Sequence, residues 1–180
     1  MASQTPNVFT YPRSEPGTTG HLDLVEPLRV LPKQIAEALK EITDEQARFR
    51  APEGLHGDSA SGWCIKEIVG HLRDAAEVYH KRLYMMSTQT DPILEPYDQD
   101  AFTIEHGYLE RDLGEMLAEL REFRALTVRL LTTLVNWNWA RTGQHLDDGR
   151  MSIRQIVELM VHHESEHLDD VRRLRVLGLS

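Results

Sequence analysis

The chain carries three histidines in one short stretch near its end, His162, His163 and His167. They fall in a segment whose apolar positions Ile156, Met160, Val171 and Leu174 recur at helical spacing. On a wheel advancing about 100° per residue, His163 and His167 lie within about 20° of Ile156, in the middle of that stripe. His162 lies about 100° from His163 and faces sideways. Two imidazoles one turn apart therefore point into an apolar interior, where each ring needs partners for two nitrogens. A hydrogen-bond network meets that need, and so does a shared metal ion. The i, i+4 spacing suits two ligands on one ion.

Catalytic zinc-type sites usually take three protein ligands and leave a position open, so a third ligand must come from another helix. His71 is the best candidate. It sits about 60° beyond Ile68 at the edge of a second apolar stripe, formed by Ile65, Ile68, Val69, Leu72, Ala76, Tyr79 and Leu83, and Gly70 beside it permits close backbone approach. His80 lies on the opposite shoulder more than two turns on, and position alone does not fix the choice. A lone inward histidine is more often a satisfied core residue than a ligand; the pair is what favours metal. Asp170 and Asp74, each three residues after a candidate ligand, are placed to accept from the imidazoles of His167 and His71 and orient them, although such carboxylates are more often ordinary surface or capping groups. Glu164 lies about 100° from His163 and reads as solvated. His145, in a loop with Gly143 and Gly149, is close enough in type to approach the site, whereas His21, His56 and His106 suggest no role.

His163 to His167 also satisfies H-E-x-x-H, a metalloprotease motif in which the glutamate is the general base. Thirteen residues follow His167, none of them His or Glu, and no strand pattern provides an edge to hold an extended peptide. A protease is disfavoured.

These residues need rigid elements to position them. Residues 1–20, with Pro6, Pro12, Pro16, Gly17 and Gly20, read as an extended, non-helical N-terminal arm. Helical periodicity then runs over about 22–49, regular only after Pro32 because an interior proline breaks the hydrogen-bond ladder. Further helices are expected over about 65–86, 113–134 and 152–177, with a short piece around 101–108 and irregular connections at 50–63, 87–98 and 136–150. No stretch sustains a two-residue alternation. The expected fold is all-α, a four-helix bundle over residues 21–180. Cys64-Ile-Lys-Glu-Ile-Val69 echoes Ser152-Ile-Arg-Gln-Ile-Val157, so the second and fourth long helices should start alike, the latter with a capping box.

The bulk numbers agree with one globular domain: 180 residues, 41% hydrophobic and 27% charged. A net charge of −9 and a pI near 5.4 make the surface acidic, which disfavours nucleic acid and anionic membranes as partners. Cys64 is the only cysteine, so no intramolecular disulfide can form. The N-terminus lacks the apolar run of a signal peptide and no segment approaches a membrane span, so a cytoplasmic location is expected.

The run from Gly62 to Asp74 resembles the start of the metal-bearing second helix in the DinB/YfiT-like superfamily, and Ser152 to Leu168 resembles its last helix. Pro96-Tyr97-Asp98-Gln99-Asp100-Ala101-Phe102 and Trp139-Ala140-Arg141-Thr142-Gly143-Gln144-His145 are similar to its intervening landmarks. Cys64 departs from the Ser or Thr more usual there, which touches a helix cap only. The resemblance implies an up-down-down-up bundle binding a divalent metal, zinc or nickel, through His71, His163 and His167. It also implies a hydrolase or thiol S-transferase acting on a small molecule, with a low-molecular-weight thiol as one candidate, and is compatible with a homodimer. The alternative is a non-catalytic metal-binding or stress-responsive protein.

Overall fold

The computed structural model describes residues 21–52 and 62–178; the expected N-terminal arm lies outside the described residues. The chain adopts the expected all-α architecture. Its helices are α1 (His21–Ala38), α2 (Asp44–Ala47), α3 (Ile65–Thr88), α4 (Gln99–His106), α5 (Leu113–Thr133) and α6 (Ile153–Gly178). The four long ones form the bundle. α1 packs on α5 and α6, and α3 packs on the same two, so α1 lies across the diagonal from α3. Each of α5 and α6 is thus flanked on two sides, and its buried arc is wider than one stripe.

Three expectations are corrected. α1 does not wait for Pro32 but runs through both Pro27 and Pro32. Each proline removes one N–H, and burial of Val25, Leu28, Leu31 and Ile35 against the other helices holds the helix together. The helix also fails to reach Phe49. It stops at Ala38, Glu41 takes a left-handed conformation (φ 63°), and Thr43 restarts α2 through a capping box with Gln46. Finally, a small sheet exists where none was expected: β1 (Ile93–Leu94) pairs parallel with β2 (Thr142–His145), which pairs antiparallel with β3 (Gly149–Ser152). Strands of two and four residues are too short to show a period. Among the described residues, no helix is long and apolar enough to cross a membrane.

The related starts of α3 and α6 are both present. Gln155 reaches back to the Ser152 N–H at 2.8 Å while the Gln155 N–H donates to Ser152 Oγ at 3.2 Å. At α3, Glu67 accepts from the Cys64 N–H at 2.9 Å and is itself held by Arg50 at 2.6 Å.

Two apolar clusters fill the interior. One gathers Leu31, Ile35, Ile65, Ile68, Leu72, Leu120, Leu168 and Val171; the other gathers Leu28, Leu83, Met86, Val128, Leu131, Ile156 and Met160. Buried polar residues interrupt this apolar interior: Arg124 and Thr127 on α5 and Glu164 and His167 on α6 lie between the two clusters along their helices, and His71 and Asp74 on α3 lie within the span of the first.

Gly70, one residue before His71, is where the Tyr108 ring lies against α3, and a Cβ added there would stand 2.3 Å from two of its ring carbons. Tyr108 is fully buried, so it has little room to retreat. Gly70→Ala is expected to destabilise the chain by about 1–3 kcal/mol, read from urea unfolding, despite alanine's better helix propensity.

Candidate metal centre

α3 and α6 lie side by side and bring His71, His163 and His167 together. One ring nitrogen from each falls within 4.8 Å of the others. The His71 and His163 Nε2 atoms are 2.8 Å apart, and the three ring centroids are separated by 4.6–5.1 Å. Nitrogens bonded to one tetrahedral ion at about 2.0–2.1 Å would stand roughly 3.3 Å apart. The 2.8 Å pair and the 4.8 Å limit bracket that value, so small movements of the rings bring the three nitrogens to one ion. His71 and His167 are buried and His163 is half-buried.

The donor set suits a cation. Burial, with the neighbouring His167 ring as a lesser cause, pushes the His71 imidazole down to about 3. Burial also lowers His163 well below the usual histidine value, helped by His71, His167 and Arg124. Both rings are therefore neutral at physiological pH, the form in which imidazole coordinates a metal. Nδ1 of His163 and Nδ1 of His167 are buried without a hydrogen-bond partner. No carboxylate or thiolate joins the group among the described residues. Three imidazole nitrogens fit zinc, nickel, copper or iron better than magnesium or calcium.

Aromatic rings wall the cluster. Trp63 packs against His71 and His167 at 4.9 and 6.4 Å, Tyr97 against His71 at 5.9 Å, and Tyr79 against His163 at 6.4 Å. Tyr79, Tyr97 and His163 keep partial exposure, so that side of the cluster meets solvent.

The residues around the ligand candidates differ from the sequence reading in four places. Asp74 does not touch His71. It accepts from Arg73 Nη1 at 2.6 Å and from the Tyr108 hydroxyl, and His106 Nδ1 lies 2.6 Å from it. The group that meets His71 is Tyr97, whose hydroxyl is 3.3 Å from Nδ1; Tyr97 is in turn hydrogen-bonded to Tyr108. Asp74 thus reaches His71 only through two phenols, both held above the usual tyrosine range by burial first. Asp170 stands 3.5 Å from His167 Nδ1, too far for a good hydrogen bond, and pairs with Arg173 at 2.7 Å. Glu164 is not solvated: it is 1% exposed and ion-paired with Arg124, itself 2% exposed. Burial pulls the Arg124 guanidinium down to about 9. His145 stays in the β2–β3 turn, where Nδ1 accepts from the Asp147 and Asp148 N–H groups at 3.3 and 3.2 Å. His80 contacts Thr127 at 3.3 Å and is not part of the cluster.

Arg124 and Tyr97 were missed as partners of the site. Tyr97 sits in a proline-flanked connection with no periodicity to place it. Arg124 carried a signal, because it shares a face with Leu120, Val128 and Leu131 on α5.

The family model of the DinB superfamily matches residues 28–171. YfiT of Bacillus subtilis, named "Putative metal-dependent hydrolase YfiT", is 25% identical over 158 residues, covering 87% of this chain and 85% of the relative. A relative of Oceanobacillus iheyensis with the same style of name is 24% identical over 145 residues, covering 80% of this chain and 79% of the relative. The solved structure of Bacillus subtilis YfiT, reported with an unusual four-helix bundle topology, superposes with a TM-score of 0.83 at 24% identity, covering 94% of each chain.

Two outcomes are expected. The unfolded chain takes up protons near the usual histidine value of about 6.5, whereas folded His71 resists them until about 3. Over that window the unfolded state binds more protons, so metal-free protein loses stability as pH falls below about 6.5; His71→Gln should make the slope of unfolding midpoint against pH shallower. Glu164→Ala leaves Arg124 buried and unpaired, and should cost about 3–5 kcal/mol in urea unfolding.

Proposed function

The chain belongs to the DinB superfamily, and on that footing we propose that His71, His163 and His167 hold one divalent metal ion and that the protein is a metal-dependent enzyme acting on a small molecule. The observation that carries this reading is the meeting of three imidazole nitrogens from two helices, two of the rings held neutral by burial. The relatives named as metal-dependent hydrolases support the same class of activity. Zinc or nickel, two of the ions that suit this donor set and the two that the family resemblance implies, is the ion of this proposal. Such an ion supplies Lewis-acid polarisation and lowers the pKa of a bound nucleophile.

The chain's own residues set the remaining terms. Tyr97 orients His71 by occupying Nδ1, which turns Nε2 toward the other rings. Trp63, Tyr79 and Tyr97 exclude water from much of the cluster. No carboxylate lies in the metal group among the described residues, so a strong local base is not part of it. A nucleophile that is already acidic asks least of such a site. A thiol, with a free pKa near 8.5, satisfies this better than an alcohol, which supports thiol transfer beside hydrolysis as the reaction to test.

Elemental analysis of purified protein should find one bound divalent ion per chain, lost in His71→Ala, His163→Ala or His167→Ala. Turnover of activated esters, amides or thiol–electrophile pairs should depend on that ion. An X-ray absorption spectrum showing four protein ligands, with no turnover of any such substrate, would instead make the site a closed, non-catalytic one. Tyr97→Phe is expected to keep the fold and weaken metal affinity by about tenfold or more, measured by competition with a chelating dye.

A further inference from the structure

Between α1 and α5 lies a half-open cavity of about 360 Å³. Its apolar lining comes from Leu28 and Pro32 on α1 and from Ala125 and Val128 on α5. Around these stand Arg29 and Lys33 of α1 and Arg121 and Arg129 of α5, with Arg124 at the base. No acidic residue lines it. This gathers five of the chain's 20 lysines and arginines on one cavity of a protein with net charge −9.

The spacing explains the arrangement. Arg121, Ala125 and Arg129 are separated by four residues each and stack along one face of α5, with the small Ala125 leaving room between two long cations. Arg29 and Lys33 are likewise one turn apart on α1. Like charges at i, i+4 are mutually destabilising on a helix. Arg29 is relieved by Glu26 at 3.2 Å, but no acidic partner of Lys33, Arg121 or Arg129 is found among the described residues. Arg124 adds a buried guanidinium whose Nε and Nη1 have no hydrogen-bond partner, while its Nη2 holds Glu164 beside His163.

We propose that this α1–α5 cavity binds a small organic anion, a carboxylate or phosphate carried on a compact apolar body. The exposed cations of both helices hold the charged head, and Leu28, Pro32, Ala125 and Val128 hold the body. The volume lies at the small end of ligand-sized pockets, and the repulsion between Arg29 and Lys33, one turn apart on α1, is relieved when an anion bridges the two helices. The site is separate from the histidine cluster. It touches that cluster only through Arg124 and Glu164, and it does not rest on the metal-dependent activity proposed above.

Phenyl phosphate and hexanoate, with phenol and hexanol as neutral counterparts, can be titrated calorimetrically into the full chain and into Arg121→Gln/Arg129→Gln. Both substituted residues are exposed, so the fold should be retained. Saturable binding of an anion, weaker with added salt, reduced by about tenfold or more in the double variant and blocked by Ala125→Trp, is the expected result. The same affinity in His163→Ala would place the anion away from the histidines. The proposal is overturned if no anion binds saturably, if the neutral counterparts bind equally well, or if His163→Ala abolishes binding while the arginine variant does not. It is also overturned if the double variant turns a dimer into a monomer by light scattering, which would make this face an interface between copies.

Discussion

Buried polar side chains interrupt the bundle's interior, and the rest of the molecule is arranged around the need to satisfy them. His71, Asp74, Arg124, Thr127, Glu164 and His167 are each less than a tenth exposed. Taking such groups out of water costs free energy unless each finds a partner. The apolar clusters packed around these groups fix the helices rigidly enough to hold their partners in register. Asp74 is met by Arg73, Tyr108 and His106, and Glu164 is met by Arg124. The three imidazoles meet one another.

The placement of the histidines follows from this arrangement. On α6 they fall between Met160 of one cluster and Leu168 and Val171 of the other. On α3, His71 lies within the first cluster, between Val69 and Leu72, and faces the α6 histidines from there. Gly70 lets Tyr108 lie flat against the helix, and Tyr108 is bonded to both Asp74 and Tyr97. One missing Cβ therefore supports a chain of contacts that ends on His71 Nδ1. The ring's orientation depends on packing two residues and two helical elements away.

How far the sequence revealed this depends on what each residue's neighbours are. The i, i+4 pair was legible because His163 and His167 fall on a stripe whose apolar members are unambiguous; position alone left His71 a candidate, and the family resemblance singled it out. The four long helices were legible for the same reason. Glu164 was not. A wheel with one apolar stripe assigns everything about 100° away to solvent, yet α6 is packed on two sides by α1 and α3. The same two-sided burial conceals Arg124 on α5. The short sheet and the position of Tyr97 depend on pairings between segments some fifty residues apart, Leu94 with His145 among them, and no local pattern encodes such a pairing.

The buried polar groups are satisfied only in part, and the shortfall is local. His163 Nδ1, His167 Nδ1, Glu164 Oε2, and Nε and Nη1 of Arg124 are all buried without a hydrogen-bond partner. Four of these five atoms belong to Arg124, Glu164 and His163, which are joined by one ion pair and one peptide bond. Replacing a buried ion pair with well-packed apolar side chains is commonly neutral or stabilising, so stability alone does not account for a guanidinium, a carboxylate and imidazoles meeting in the middle of a core. Asp74 shows that this chain can fill a buried carboxylate's valences when the fold requires it. Where it leaves them open, the open atoms divide between two places: the N–H donors of Arg124 belong to a side chain that lines the α1–α5 cavity, and the imidazole nitrogens stand where three rings converge.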